Sequence, residues 1–215
     1  MGLEELRAVF RFPEKMPDVP ASEHGWFGSE HVELLSGALG PETKVVLELG
    51  SWLGLSTRFI ARNAPNAVVL AVDHWVGSVE HRQDPNLSRM LPTLYDTFLR
   101  SCWEYRKQIV PVRMGTVEAM KLLASHGIAP DLIYIDASHE YGDVKPDIHH
   151  AFALFPNAAI AGDDFMWEGV SRAVREWAAD GMLPAVAKGN VWWKEGPMFA
   201  HIEGGVIIPR GTARQ

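Results

Sequence analysis

The stretch KVVLELGSWLGLST, residues 44–57, followed by AVVLAVD, residues 67–73, decides the fold. Its first apolar run, Val45–Leu49, predicts a parallel strand that is buried on both faces. Gly50 and Gly54 follow, and then apolar residues recur at helical spacing, with Ser56 suited to the start of the helix. The second run predicts another strand and ends on Asp73. This order is that of a nucleotide-binding βαβ unit, in which the terminal acid accepts hydrogen bonds from ribose hydroxyls. The alternative is a glycine turn that serves only strand–helix packing.

The spacing of the glycines indicates which nucleotide the unit binds. The dinucleotide fingerprint G-x-G-x-x-G requires a glycine at position 52, where this chain has Trp52. The chain has Glu48-x-Gly50-x-x-x-Gly54 instead, which resembles the first motif of class I S-adenosylmethionine (SAM) dependent methyltransferases. This resemblance implies that the turn from Gly50 to Trp52 lies beside the methionine part of SAM. The SAM-binding residues predicted in this motif are Glu48, Gly50, Ser51, Trp52 and Ser56.

Further SAM contacts are expected at the ends of the next two strands. Asp73 would hold the ribose, and His74 and Trp75 follow it directly. The Trp75 ring is predicted either to lie against the adenine ring or to belong to the core. By the same resemblance, Gly115 and Thr116, at the end of the third strand, are candidates for contacts with the adenine edge. The alternative for Thr116 is a helix N-cap.

Length and composition indicate one globular domain, and the cysteine content indicates a reducing compartment. The chain has 215 residues, of which 47% are hydrophobic, and these suffice for one full-sized core. The net charge of −7 argues against a nucleic-acid backbone as the main partner, since such binding surfaces are basic. The single cysteine, Cys102, lies on an apolar helical stripe and allows no internal disulfide. We find no signal-peptide pattern and no apolar run long enough for a membrane span, and we expect a cytoplasmic protein without membrane partners.

Two helices are predicted before the βαβ unit. The second runs from Ser29 to about Leu39, with Val32, Leu35 and Leu39 on its apolar face. Residues 76–90 are polar and long for a connection, which indicates an active-site loop or an interface loop. The predicted division is an N-terminal helical extension and candidate lid over residues 1–43, a SAM-dependent methyltransferase domain over 44–208 and a tail over 209–215.

Three carboxylates follow two predicted strands directly. The strand Asp131–Asp136 ends on Asp136, and the strand Ala158–Gly162 runs into Asp163 and Asp164. In an open α/β sheet, ligands bind beyond the carboxyl ends of the strands, so these acids are expected at one rim. Like charges gathered there raise one another's pKa unless a cation joins them, and Mg²⁺ prefers such oxygen ligands. The alternative is that one acid caps a helix and another pairs with a nearby arginine.

His139 lies three residues after Asp136, on the loop that leaves the strand. A histidine that is neutral near physiological pH can remove a proton from a hydroxyl, so His139 is a candidate general base. The alternative is a structural histidine. The next helix is predicted to run from Asp147 to Phe155.

A second resemblance covers this region and extends over about residues 44–200. Residues 135–147 and 162–164 read I-D-x-x-H-x-Y-x-x-V-x-x-D and G-D-D, a pattern similar to that of the methyltransferase domain 24 group. That group includes metal-dependent O-methyltransferases that act on natural products. The resemblance implies that Asp136, Asp163 and Asp164 bind a divalent metal and that His139 acts as the base, with Asp136 beside it in the catalytic centre.

The C-terminal part completes the predicted sheet. Residues 191–194 and 198–202 are expected to form two strands joined by Glu195-Gly196-Pro197, and class I methyltransferases end on such a hairpin. The predicted fold class is therefore α/β: a Rossmann-like, seven-stranded, mostly parallel sheet with helices on both faces and a C-terminal antiparallel hairpin.

The predicted function is SAM-dependent O-methylation of a small-molecule hydroxyl with the assistance of a divalent metal, Mg²⁺ in the first place. The donor methyl is already activated, so the protein positions two substrates and manages one proton. Two alternatives stay open: an NAD-dependent Rossmann oxidoreductase, and a non-catalytic protein that binds SAM or another nucleoside. A homo-oligomer is not distinguished from a monomer.

Overall fold

The computed structural model describes residues 2–180, 184–199 and 202–208. The strands in this part of the chain are β1 (Val45–Leu49), β2 (Val68–Asp73), β3 (Ile109–Arg113), β4 (Leu132–Ile135), β5 (Ala159–Gly162), β6 (Ala185–Lys188), β7 (Val191–Lys194) and β8 (Val206–Ile208). They form one sheet in the order β3-β2-β1-β4-β5-β7-β6-β8. The first five strands are parallel, and the last three pair antiparallel.

Helices cover both faces of the sheet and bury a separate apolar layer on each side. One face carries α1 (Leu3–Val9), α6 (Thr116–Ser125), α7 (Tyr141–Leu154) and α8 (Glu168–Ala179), and the other carries α2 (Ser29–Ala38), α3 (Leu55–Asn63) and α5 (Leu94–Ser101). The short helix α4 (Val79–Gln83) lies within the polar stretch 76–90. The structure confirms the predicted Rossmann-like class, with eight strands among the described residues in place of seven.

The N-terminal helices pack on the sheet rather than apart from it. Leu6 of α1 is fully buried in the same apolar layer as the strands. The buried face of α2 consists of His31, Leu34, Leu35 and Ala38. The predicted apolar face was therefore wrong for Val32, which is 41% exposed. Relative to the predicted apolar face, the buried face of α2 is shifted by one residue toward the N-terminus, so His31 points inward in place of Val32.

The C-terminal hairpin differs from the predicted one. Residues 191–194 form β7 as expected, but their hairpin partner is β6, and Gly189-Asn190 is the connecting turn. Gly189 has a φ of +58°, a conformation that favours glycine at the first position of a two-residue hairpin turn. Pro197–Phe199 forms a 3₁₀ helix where a strand was predicted, and positions 200 and 201 lie outside the described residues, as does the predicted tail 209–215.

Two local expectations can be compared directly with the structure. Cys102 is fully buried, which confirms its assignment to the core, and burial raises the pKa of its thiol. Helix α7 begins at Tyr141 and includes Pro146 in its interior, whereas the sequence predicted a helix only from Asp147 onward. Within the described part of the chain, no helix has the length and apolar character that crossing a membrane requires.

Candidate active site

The order of the strands reverses between β1 and β4, so a ligand site is expected beyond the ends of these two strands. The backbone N–H of Asp136 donates to the carbonyl oxygen of Leu49 at 2.8 Å. Gly50 has a φ of +89°, and a Cβ at this position would lie 1.9 Å from the carbonyl oxygen of Asp136. Only glycine fits here, because the turn after β1 passes directly against the loop after β4. The predicted SAM-binding turn and the first predicted metal ligand are therefore neighbours.

Two acids hold the turn after β1. The Glu48 carboxylate is fully buried and accepts the hydroxyl hydrogens of Ser51 and Thr57, and burial raises its pKa. Asp73 accepts the backbone N–H groups of Ser51 at 3.2 Å and Trp52 at 3.0 Å. The two carboxylates therefore shape the turn from inside the protein. The ribose contact of Asp73 would use the remaining lone pairs of the same oxygens, and it stays a prediction.

The two tryptophans near this turn have different environments. Trp52 has a φ of +44°, so position 52 adopts the left-handed conformation even though it is not glycine. The indole N–H of Trp75 donates to the carbonyl oxygen of Trp52 at 2.8 Å, and the Trp75 ring packs on Tyr95 and Phe98. Trp75 is 2% exposed, so of the two alternatives for this ring the structure agrees with the core position.

The remaining predicted cofactor residues lie at the ends of β2 and β3. His74 is exposed beside Asp73, with 3.5 Å between Nδ1 and the carboxylate. Gly115 is the N-cap of α6, so Thr116 is the first helical residue and not the cap. The Thr116 hydroxyl donates to the buried carboxylate of Asp147 in α7. Contacts of Gly115 and Thr116 with adenine stay predictions.

The structure brings the three predicted acids together. One carboxylate oxygen from each of Asp136, Asp163 and Asp164 lies within 4.8 Å of the other two. Burial, followed by the charges of Asp163 and Asp164, raises the pKa of Asp136 well above its ordinary value. No donor among the described residues contacts the Asp136 carboxylate. Three carboxylates at this spacing, one of them without a donor, fit a divalent cation that prefers oxygen ligands.

Asp163 and Asp164 contact residues that the sequence did not predict for the site. The side-chain amide of Asn190 donates to Asp163 Oδ1 at 2.9 Å and to Asp164 Oδ1 at 3.2 Å. His31 Nε2 lies 2.6 Å from Asp163 Oδ2. A signal for His31 existed in the sequence, because it stands at i−3 and i−4 from two leucines on an otherwise apolar stripe. The nearby Arg172 pairs with Glu176, not with these acids.

His139 lies between two carboxylates. Its Nε2 is 2.8 Å from Asp164 Oδ2, and its Nδ1 is 3.2 Å from Glu80 Oε2 in α4. The hydrogen bond to Asp164, together with the charges of Asp164 and Glu80, raises the pKa of His139. The indole ring of Trp167 stacks on the imidazole, with 4.4 Å between ring centroids and 14° between planes. The loop 76–90 therefore reaches the candidate base through Glu80.

An aromatic cluster, formed by His24, Trp26, Trp52 and His81, covers the turn after β1. The Trp52 and His81 rings lie 4.3 Å apart, and Trp26 stacks on His81 at 6.0 Å. The Trp52 indole N–H donates to His24 Nδ1 at 3.2 Å. The N-terminal segment, the turn and the loop 76–90 meet here, next to Asp73, which accepts the backbone N–H of Trp52.

The fold and the site together define a nucleotide-binding α/β protein with an acidic centre at the reversal of its strand order. Residues 47–165, more than half of the chain, match the methyltransferase domain family. The chain belongs to this family and is a SAM-dependent methyltransferase of class I. This assignment decides between the SAM and NAD alternatives. A search of curated proteins gives no match.

Several solved structures with the same fold are named as methyltransferases. The O-methyltransferase TomG from Streptomyces achromogenes, which is involved in tomaymycin synthesis and was solved with SAM, has a TM-score of 0.56 at 15% identity, over 80% of this chain and 82% of that chain. The precorrin-6y C5,15-methyltransferase from Geobacter metallireducens has a TM-score of 0.53 at 16% identity, over 81% and 90%. The O-methyltransferase from Bacillus cereus, in complex with SAH, has a TM-score of 0.51 at 15% identity, over 89% and 88%. At these identities the likeness shows the fold.

Proposed function

We propose that this protein transfers the methyl group of SAM to a hydroxyl oxygen of a small molecule and that a divalent cation, Mg²⁺ in the first place, assists the transfer. The observation that carries this proposal is the meeting of Asp136, Asp163 and Asp164 at the strand reversal. Asp136 lies directly against the turn at Gly50, so the acidic centre adjoins the expected donor site. Two of the structural neighbours described above are O-methyltransferases, in agreement with an oxygen acceptor.

The donor site would be formed by the ends of the first three strands. The turn from Gly50 to Trp52 would contact the methionine part, and Asp73 with His74 would contact the ribose. Gly115 and Thr116 would approach the adenine through the start of α6. Trp52 adds an aromatic face that belongs to the aromatic cluster, and this cluster would exclude water from the reacting groups. The candidate lid of residues 1–43 contributes His24 and Trp26 to it.

The acidic centre would hold the cation through Asp136, Asp163 and Asp164. Bound there, a divalent cation acts as a Lewis acid that lowers the pKa of a coordinated hydroxyl. His139 would take the hydroxyl proton at Nε2, while Glu80 holds the ring through Nδ1. Since Nε2 also contacts Asp164, this role requires the acceptor hydroxyl to replace that contact. In the net reaction the C–S bond of SAM breaks, a C–O bond forms and SAH leaves.

Electrostatics supports a small-molecule acceptor. A net charge of −7 and a carboxylate-rich centre would repel a phosphate backbone. The exposed rings of Trp26 and Trp167 near the site favour an acceptor with an apolar or flat part. We expect a cytoplasmic enzyme, and its oligomeric state does not enter the proposal.

Binding and transfer with the purified protein test the proposal separately. Calorimetric titration with SAH should give saturable binding, and catechol should be methylated from labelled SAM with Mg²⁺ but not with EDTA. Phenol is the matched control acceptor, because it lacks the second oxygen with which catechol can chelate the cation. Its methylation should therefore not depend on Mg²⁺ in the way that methylation of catechol does. Asp136→Asn should keep SAH binding and lose the response to Mg²⁺. Transfer that EDTA leaves unchanged would refute the metal part. SAH binding without transfer to any hydroxyl acceptor would support the non-catalytic alternative.

A further inference from the structure

Two side chains outside the family-matched segment 47–165 hold the acidic pair Asp163 and Asp164. Asn190 comes from the turn of the β6–β7 hairpin, and His31 comes from α2. Neither residue belongs to the motif that predicts the acids. The acidic centre of this chain is therefore completed by elements that lie outside that motif.

Asn190 contacts the turn of the acidic pair through its side-chain amide and its backbone carbonyl. Its amide hydrogens reach Asp163 Oδ1 and Asp164 Oδ1, and its side-chain oxygen accepts the backbone N–H of Met166 at 3.2 Å. Its backbone oxygen accepts the N–H of Phe165 at 2.8 Å. Asp164 has a φ of +63°, a left-handed conformation that is unfavourable for a residue other than glycine. The four contacts hold the Asp163–Asp164 turn in this strained shape.

His31 holds the other oxygen of Asp163. Its Nδ1 accepts the backbone N–H of Gly28 at 2.9 Å, so the proton is carried by Nε2, which donates to Asp163 Oδ2 at 2.6 Å. Both side chains are buried, at 7% exposure for His31 and 2% for Asp163. Asp163 thus has one donor on each oxygen, and one lone pair of each oxygen remains.

The two donors belong to elements that are also tied to each other. The backbone N–H of Asn190 donates to the Glu30 carboxylate of α2 at 3.3 Å. Lys188 of the hairpin pairs with Glu33 of α2 at 2.7 Å, and this ion pair does not touch the acids. The α2–hairpin contact therefore contains one pair that can be broken as a control.

We propose that Asn190 and His31 are positioning residues that orient Asp163 and Asp164 toward a divalent cation shared with Asp136. This inference rests on the metal part of the proposed function. Hydrogen bonds from outer groups fix the rotation of ligating carboxylates, and their loss typically lowers metal affinity about 10- to 100-fold. Without these donors the two adjacent carboxylates would repel each other and rotate apart.

The test is Mn²⁺ binding, measured as loss of the free-ion signal in electron paramagnetic resonance, with no acceptor and no turnover. Asn190→Ala and His31→Leu should each weaken Mn²⁺ binding about 10- to 100-fold. His31→Gln should restore most of the affinity, because the glutamine amide can donate from nearly the position of Nε2. The double variant should lose less than the product of the single losses, since both residues act on Asp163. Affinity for SAH, measured in parallel, should change less than about threefold in every variant.

Glu33→Gln is the matched control, because it breaks the Lys188 pair between the same two elements and should leave Mn²⁺ affinity unchanged. Wild-type affinity in Asn190→Ala and His31→Leu would overturn the positioning role and leave the metal proposal standing. Equal losses in Glu33→Gln and in His31→Gln would mean that only the docking of α2 matters, which also overturns it. If the wild-type protein binds no Mn²⁺, both the metal site and the positioning role of Asn190 and His31 are refuted. SAH binding and methyl transfer without metal then test whether the protein is a SAM-dependent methyltransferase that needs no cation.

Discussion

Asp147 provides a pH-dependent test of how α6 and α7 are joined. Its side chain is 2% exposed, and its carboxylate accepts the hydroxyl hydrogen of Thr116. Burial raises the pKa of Asp147 from 3.8 to about 6, although the Thr116 hydrogen bond acts in the opposite direction. The folded state therefore keeps a proton that the unfolded state has already lost. The resulting stabilisation is complete below pH 3.8 and is lost as the pH rises through about 6.

The magnitude follows from the two pKa values. A rise from 3.8 to about 6 corresponds to about 3 kcal/mol of unfolding free energy between the acidic and alkaline limits. At pH 5 the folded-state group is about nine-tenths protonated and the unfolded-state group only about one-sixteenth. The difference between pH 5 and pH 8 is therefore about 1.4 kcal/mol.

Asp147→Asn removes the titration and keeps an acceptor for Thr116. In urea unfolding, the stability of the wild-type protein relative to this variant should increase by about 1.4 kcal/mol from pH 8 to pH 5. Thr116→Val should lose more stability at pH 8 than at pH 5, because the missing hydrogen bond favours the charged carboxylate. A difference between wild type and Asp147→Asn that stays constant over this range, or that has the opposite sign, would refute the reasoning.

Three further predictions concern the site and the core. Gly50→Ala should lower the free energy of unfolding by about 3 kcal/mol or more, because the new Cβ would clash with the Asp136 backbone. Gly127→Ala, at a φ of +68° but with open space around the new Cβ, should lose only about 1 kcal/mol, and equal losses of the two variants in urea unfolding would contradict the close approach at Gly50. His139→Ala should reduce kcat at least about 100-fold while SAH affinity stays within about threefold, and an unchanged kcat would remove His139 from the mechanism. Tyr134→Phe should raise the free energy of unfolding by about 1 kcal/mol, since the buried hydroxyl has no hydrogen-bond partner among the described residues. A lower melting temperature of the variant would show that the hydroxyl does make a stabilising contact.

The elements that the sequence predicts well are those with strong local patterns. The strands β1 to β5 are mostly apolar runs, as expected for strands buried on both faces. Three of the predicted site acids stand at the end of β2 or directly after β4 and β5: Asp73, Asp136 and Asp163. The first strand of the hairpin, β6, is short and reads AVAK, which gives no alternation and no aromatic signal. The start of α7 was missed because Pro146 argues against a helix interior.

The site residues also separate into those that the sequence predicts and those that depend on tertiary packing. Asp136, Asp163 and Asp164 could be predicted because parallel strands end at one edge of a sheet, so position in the chain determines position in space. The spacing of His31 from two leucines indicates a buried position on α2. Neither His31 nor Glu80 could be assigned to the site, however, since each reaches it from an element whose placement depends on tertiary packing. For Trp75 the sequence allowed a cofactor contact or a core position, and only the packing against Tyr95 and Phe98 distinguishes them.

Asn190 is an intermediate case, because knowing which hairpin strand pairs with β5 would have been enough to place it near the acids. In the antiparallel pair β5–β7, Ala161 is opposite Trp193 and Gly162 is opposite Trp192. Continuing this register by two residues brings Asp164 to the level of Asn190. The hydrogen bond from the Phe165 N–H to the Asn190 carbonyl is displaced from that register by one residue, because the left-handed backbone of Asp164 interrupts the extended strand. The turn Gly189-Asn190 therefore reaches the acidic pair because β7, and not β6, lies beside β5. A shift of one residue in this register would move Asn190 away from both carboxylates, so the pairing of the hairpin with β5 is itself part of the acidic centre.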